Sequence, residues 1–289
     1  VTLGCLYREM ANVTKAIDCF NEALKLNPKS TEAMLNMGAI LIDIGENDNA
    51  IEYYINAIKI DEKCFNAYGN LGCFYTSIGD YEKALEYFKS GIQIAPNDPG
   101  LFANMGYTYH QMKNIAEAHR CFFRSLDFDP NYLVTHINQG VLYLKSGNYN
   151  NAIMSFEHAL RIDEKSIEAN LNYAALLADI GRYNEATNYI EKVLKINPKI
   201  NAAISNLLLM SNYSSENCKI YISELHKKNG NLIENNFKQL NYQYLSNFED
   251  KDNINQKINI GFVSADLHQH SVTYFLEPLL KHFNKDEFS

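Results

Sequence analysis

The sequence has no excess of cationic charge, no long apolar run and no paired cysteines, and each absence removes a class of function. Asp and Glu number 34 against 26 Lys and Arg, for a formal charge of -8. That balance argues against nucleic acid and against anionic membrane surfaces as partners. No apolar stretch approaches the roughly 20 residues that cross a bilayer, and the opening residues lack the basic-then-apolar pattern of a secretory leader. The six cysteines are Cys5, Cys19, Cys64, Cys73, Cys121 and Cys218. None forms a Cys-x-x-Cys pair and no histidine stands at zinc spacing beside them, so no metal site is expected. They read as reduced packing residues of a cytoplasmic protein, nuclear as well in a eukaryote. With 46% hydrophobic and 21% charged residues, wholesale disorder is excluded.

What is present is a period. A small residue recurs at Gly4, Gly38, Gly72, Gly106, Gly140 and Ala174. Alanine recurs at Ala16, Ala50, Ala84, Ala118, Ala152 and Ala186, and a large residue at Phe20, Tyr54, Phe88, Phe122, Phe156 and Ile190. Pro28, Pro96, Pro130 and Pro198 close four units. Every step is 34 residues or a multiple of it. This is the pattern of the tetratricopeptide repeat, two antiparallel helices per unit. Small residues let the helices approach, and the large residue is expected to fill the gap left by the neighbouring unit. Gly45, Gly79, Gly147 and Gly181 stand where the first helix must stop. Asn-Pro and Asp-Pro pairs end the second. The reading is a mostly α, right-handed superhelical solenoid of about six repeats over residues 1–200, the first incomplete. Linker helices and a loop are expected over 201–256. The missing start of the first helix and an end in mid-pattern predict a piece of a longer protein.

Six asparagines share the period: Asn36, Asn70, Asn104, Asn138, Asn172 and Asn206, each two residues before the small position. Asparagine is a mediocre helix former. Its carboxamide donates and accepts at once, matching a peptide group. A column of them suits an extended peptide held by its backbone. The competing reading is that the residue ties helices together, or reflects a composition in which roughly one residue in eight is asparagine. Helical spacing puts Cys73, Ser77, Tyr107 and Gln111 among the groove positions of the first helices, and only Lys145 among those positions is cationic, so a clamp for a C-terminal carboxylate is disfavoured.

Beyond the repeats, 257–264 is short, β-branched and apolar, which predicts a buried strand. A loop follows over 265–270, then a helix from Ser271 interrupted by Pro278. Strand, loop and helix open a Rossmann-like α/β domain, whose ligands sit beyond the strand's carboxyl end. The stretch Ile260-Gly-Phe-Val-Ser-Ala-Asp-Leu-His-Gln-His-Ser-Val-Thr-Tyr-Phe-Leu-Glu-Pro-Leu-Leu280 resembles the start of the catalytic region of protein O-GlcNAc transferases and their Spindly-type relatives. Asn206-Leu-Leu-Leu-Met-Ser-Asn-Tyr213 resembles their repeat-to-catalytic junction.

The resemblance implies a metal-free, cofactor-free transfer of a sugar from a nucleotide donor to Ser or Thr of intracellular proteins. UDP-GlcNAc is the first donor expected and GDP-fucose the alternative. It implies that Asn36 through Asn206 hold the acceptor polypeptide, that His270 lines the site and that Asp266 orders the loop. His268 has no counterpart and is expected to face solvent. Family members also carry aspartates four residues before the ladder. Here those places hold Glu32, Asn66, Gly100, Val134, Glu168 and Ala202, which argues against aspartate-based selection. Residues 257–289 would be only the start of the catalytic region. Without a second, donor-binding lobe this chain is expected to be inactive. A non-catalytic, protein-binding scaffold is the alternative.

Overall fold

Each period becomes a helix pair because its apolar residues fall on one helical stripe and its ends carry caps. The computed structural model describes residues 1–10, 12–198 and 200–211. Among these are thirteen α-helices and no strand. The first helices of the pairs, called A here, are α1 (Thr2–Glu9), α3 (Thr31–Asp43), α5 (Phe65–Ser77), α7 (Pro99–Gln111), α9 (Leu133–Lys145), α11 (Ile167–Asp179) and α13 (Asn201–Ser211), which has no B partner among the described residues. The B helices are α2 (Val13–Leu26), α4 (Asn47–Ile60), α6 (Tyr81–Ile94), α8 (Ile115–Phe128), α10 (Tyr149–Ile162) and α12 (Tyr183–Ile196). The expected 201–256 linker lies outside the described residues beyond α13. So do the strand, the loop and helix after it, His268, His270 and Asp266.

The contact that closes each pair is between glycine and an aromatic ring. A Cβ added at Gly4, Gly38, Gly72, Gly106 or Gly140 would lie only 2.5–2.6 Å from the ring of Phe20, Tyr54, Phe88, Phe122 or Phe156 respectively. The ring therefore occupies the space left by the glycine of its own repeat, not, as the spacing suggested, a gap left by the neighbouring unit. The four phenylalanines are fully buried. In the sixth repeat the methyl of Ala174 is matched by the slimmer Ile190, both fully buried. The alanine row Ala16 through Ala186 is likewise buried throughout, where nothing larger fits between the helices.

Both turns are built from backbone geometry. Between A and B the chain closes with a paired Schellman motif: Gly45 N–H donates to Ile42 C=O and Glu46 N–H to Leu41 C=O. The same pair recurs at residues 79–80, 113–114, 147–148 and 181–182. The residue that ends this motif also starts the B helix, and Asn12, Asp80, Asn114 and Asn148 there cap it with a side-chain oxygen. Gly45, Gly79, Gly147 and Gly181 hold φ between 74° and 84°. Lys113 stands in the same place at φ 60°, a strained conformation for a side chain with a Cβ. Between B and the next A, proline is dispensable. Asp61 and Asp163 adopt the same extended backbone as Asn27 and Asp129, and all four accept a hydrogen bond from the N–H two residues on.

Two measurements check this account. Lys113→Gly should raise the stability of the array by about 1 kcal/mol, read as a later urea midpoint, because it relieves the left-handed strain. Gly106→Ala should destabilise by about 1–3 kcal/mol through overpacking against Phe122. Adding Phe122→Ile should recover part of that loss, as the Ala174 and Ile190 pair does naturally. Independent, additive effects in the double mutant would rule out the proposed contact.

Candidate functional site: the groove of the A helices

Successive A helices touch one another from α3 to α11, whereas successive B helices share no comparable contact among the described residues. The A helices are thus packed along the inner side of the stack. Asn36, Asn70, Asn104, Asn138, Asn172 and Asn206 fall on α3, α5, α7, α9, α11 and α13, one per helix, and all six are half-buried. Their partners differ. The Asn36 amide donates to Glu32 C=O at 2.9 Å, and its oxygen accepts from Cys5 Sγ at 3.6 Å. Among the described residues, the carboxamides of Asn70, Asn104, Asn138 and Asn172 make no hydrogen bond. Among the described residues, tying helices together therefore accounts for Asn36 and not for Asn70, Asn104, Asn138 or Asn172.

One cavity of about 390 Å³ opens beside the column. Cys73, Thr76 and Ser77 of α5, Tyr81 and Phe88 of α6, and Asn104, Tyr107 and Gln111 of α7 line it. Spacing alone placed Cys73, Ser77, Tyr107 and Gln111 on the groove. It missed Tyr81 and Phe88, which reach in from the B helix. The five described cysteines are free thiols; Cys121 is buried, but Cys73 is exposed on the cavity wall and is not a packing residue.

Charge along the groove is sparse and mostly acidic. Glu32, Glu168 and Asp179 are exposed. Asp43 pairs with Arg8 at 3.2 Å, which adds a cation the groove positions did not reveal but leaves it neutralised. Lys145 makes no ion pair among the described residues. Among those residues, no cluster of three His, Cys, Asp or Glu side chains could hold a metal, and no helix is long and apolar enough to cross a membrane.

Histidines sit between the helices flanking the groove. His136 Nε2 lies 2.9 Å from Pro130 C=O and 3.2 Å from His158 Nδ1. A proton on His136 Nε2 serves both acceptors, which requires His158 Nδ1 to be bare. Burial pushes the pKa of His158 down, helped by the neighbouring His136 and Arg161. Burial does the same to His110, helped by Lys145, and to His119. The folded chain thus binds fewer protons at these sites than the unfolded chain. Stability should be full above pH of about 6.5, the ordinary histidine value, and fall as the pH drops through and below it. His158→Gln should flatten part of that slope in thermal melts at pH 5 to 8, values chosen to bracket it; an unchanged slope would exclude the pair as a source.

Family models for the tetratricopeptide repeat match residues 1–30, 30–97, 78–134 and 143–209. No curated protein matches. Among solved structures, the Cut9–Hcn1 hetero-tetramer of the APC/C superposes with a TM-score of 0.60 at 20% identity, over 72% of this chain and 41% of that one. This chain therefore spans about two-fifths of that relative. PilW, a type IV pilus biogenesis factor, superposes at 0.57 with 19% identity, over 71% and 96% of the two chains. A thermophilic tetratricopeptide repeat protein of Thermus thermophilus superposes at 0.55 with 21% identity, over 64% and 98%. At these identities the likeness is one of fold. Period, helix pairs and family models agree, and the chain belongs to the tetratricopeptide repeat family.

Proposed function

We propose that the repeats form a protein-binding scaffold that holds an extended polypeptide by its main chain along the asparagine column. One observation carries this reading: Asn70, Asn104, Asn138 and Asn172 are half-buried carboxamides at one register, with no hydrogen bond among the described residues. Each lowers helix stability by several tenths of a kcal/mol relative to alanine. A peptide C=O accepting from Nδ2, and its neighbouring N–H donating to Oδ1, would satisfy each rung. Packed helices lie about 9 Å apart and an extended chain rises about 3.3 Å per residue, so a rung meets roughly every third residue. Contacts of this kind read the backbone and leave side chains unread.

The finer reading is that the held segment is the acceptor of a protein O-glycosyltransferase, with UDP-GlcNAc as donor or, in a Spindly-type enzyme, GDP-fucose. It rests on the sequence from Ile260 to Leu280, with His270 lining the site and Asp266 ordering its loop, and it needs a donor-binding lobe from elsewhere. Reading the encoding locus past Ser289 tests it. A second Rossmann-like lobe, with labelled sugar transferred to a Ser/Thr peptide and lost in His270→Ala, supports the transferase. A stop codon directly after Ser289 leaves the scaffold.

For the scaffold itself, unstructured fluorescent peptides should bind the chain. Replacing Asn70, Asn104, Asn138 and Asn172 together by Ala should weaken that binding by about 1,000-fold, at roughly 1 kcal/mol per lost rung. The same variant should melt no earlier than the parent, since alanine is the better helix former. Undiminished binding would falsify the column as the peptide site.

A further inference from the structure

A cavity lies between α5, α6 and α7, beside the asparagine column. It exists because α5 carries small residues, Cys73 and Ser77, where α7 carries Tyr107 and Gln111 at the equivalent places 34 residues on. Among the described residues, none of the lining side chains is charged. A carboxylate, ammonium or guanidinium entering it would lose water without meeting a counter-ion. Two of the hydroxyls are engaged: Thr76 donates to Gly72 C=O or shares a proton with Thr108, and Ser77 donates to Phe74 C=O. Among the described residues, the carboxamides of Asn104 and Gln111 and the hydroxyls of Tyr81 and Tyr107 have no hydrogen-bond partner. The site thus combines aromatic walls with several unpaired donors and acceptors. That combination suits a flat apolar ring with a polar tip.

We propose that this cavity takes one tyrosine side chain of the polypeptide lying in the groove. The proposal rests on the column reading above, because Asn104 is both a rung and part of the cavity wall. A residue held there by its main chain has its side chain beside the opening, and its neighbours along an extended chain point away. The bound segment is thereby set in register: tyrosine seats at α5 and α7, and the remaining rungs accept what flanks it.

The test uses the full chain and fluorescent peptides of one neutral, unstructured host sequence with a single guest residue. Tyrosine should bind about tenfold tighter than alanine, from burial of the ring, and severalfold tighter than phenylalanine. Glutamate and lysine should bind no better than alanine. Cys73→Phe fills the cavity, and its helix register tolerates an aromatic residue because Tyr107 occupies that place in the next repeat. It should level tyrosine with alanine. Ser77→Leu, a second way to narrow the cavity, should do the same. Gln111→Leu should abolish only the advantage of tyrosine over phenylalanine. Equal binding of all guests, or a tyrosine preference that survives both filling variants, overturns the cavity proposal and leaves the column standing. No binding of any guest peptide overturns both.

Discussion

The glycine under each aromatic ring is the contact on which this architecture rests. A mid-helix glycine costs about 0.5–1 kcal/mol of helix stability relative to alanine. The ring it admits returns about 1.5–3 kcal/mol by leaving water. The exchange is favourable only if the ring seats fully, and the phenylalanines at Phe20, Phe88, Phe122 and Phe156 do so. Because the A and B helices of one repeat are locked in this way, the repeat is a rigid brick. Stacking bricks then brings A against A. The inner face inherits the 34-residue register of the sequence as a register in space, which turns six scattered asparagines into a column.

The same logic explains which deviations the chain tolerates. Ala174 with Ile190 keeps the summed volume of the pair while changing both members, so the brick survives. Lys113 keeps the Schellman hydrogen bonds at the cost of a strained backbone, so the turn survives. Both substitutions preserve geometry and alter only local energy. In a quasi-one-dimensional array such costs stay within a repeat and its neighbours. They do not propagate to the groove.

Much of this was legible in the sequence because period and helix register are both arithmetic. Glycine, alanine and aromatic rows gave the helix pairs, and the four turn glycines gave the break between A and B. What spacing could not say is which glycine faces which ring, since a repeat pairs equally well on paper with itself or with its neighbour. The Asx turns at Asp61 and Asp163 went unseen because proline was the more conspicuous signal. The cavity was hidden for a different reason. Its groove-side residues were legible as positions, but Tyr81 and Phe88 come from another helix face, and a void is a property of what is missing between side chains. The column's register could be read; that four of its carboxamides lack hydrogen-bond partners among the described residues could not.

A polypeptide held by the column as proposed would be bound by accumulation. One carboxamide pair on a peptide group contributes little net free energy, because water offers the same bonds to both partners before they meet. Affinity therefore depends on how many rungs a segment can occupy at once, and that favours segments that are already extended and have no structure to lose. Such binding grows with length and carries little information about sequence. Information enters only where a rung adjoins a space that discriminates among side chains. In the proposed reading Asn104 is such a rung: it belongs to the column by register and to the cavity by position. In that reading a long, weakly selective surface and a selective cavity are complementary, since the first would supply residence time and the second would fix which residue of the segment comes to rest where.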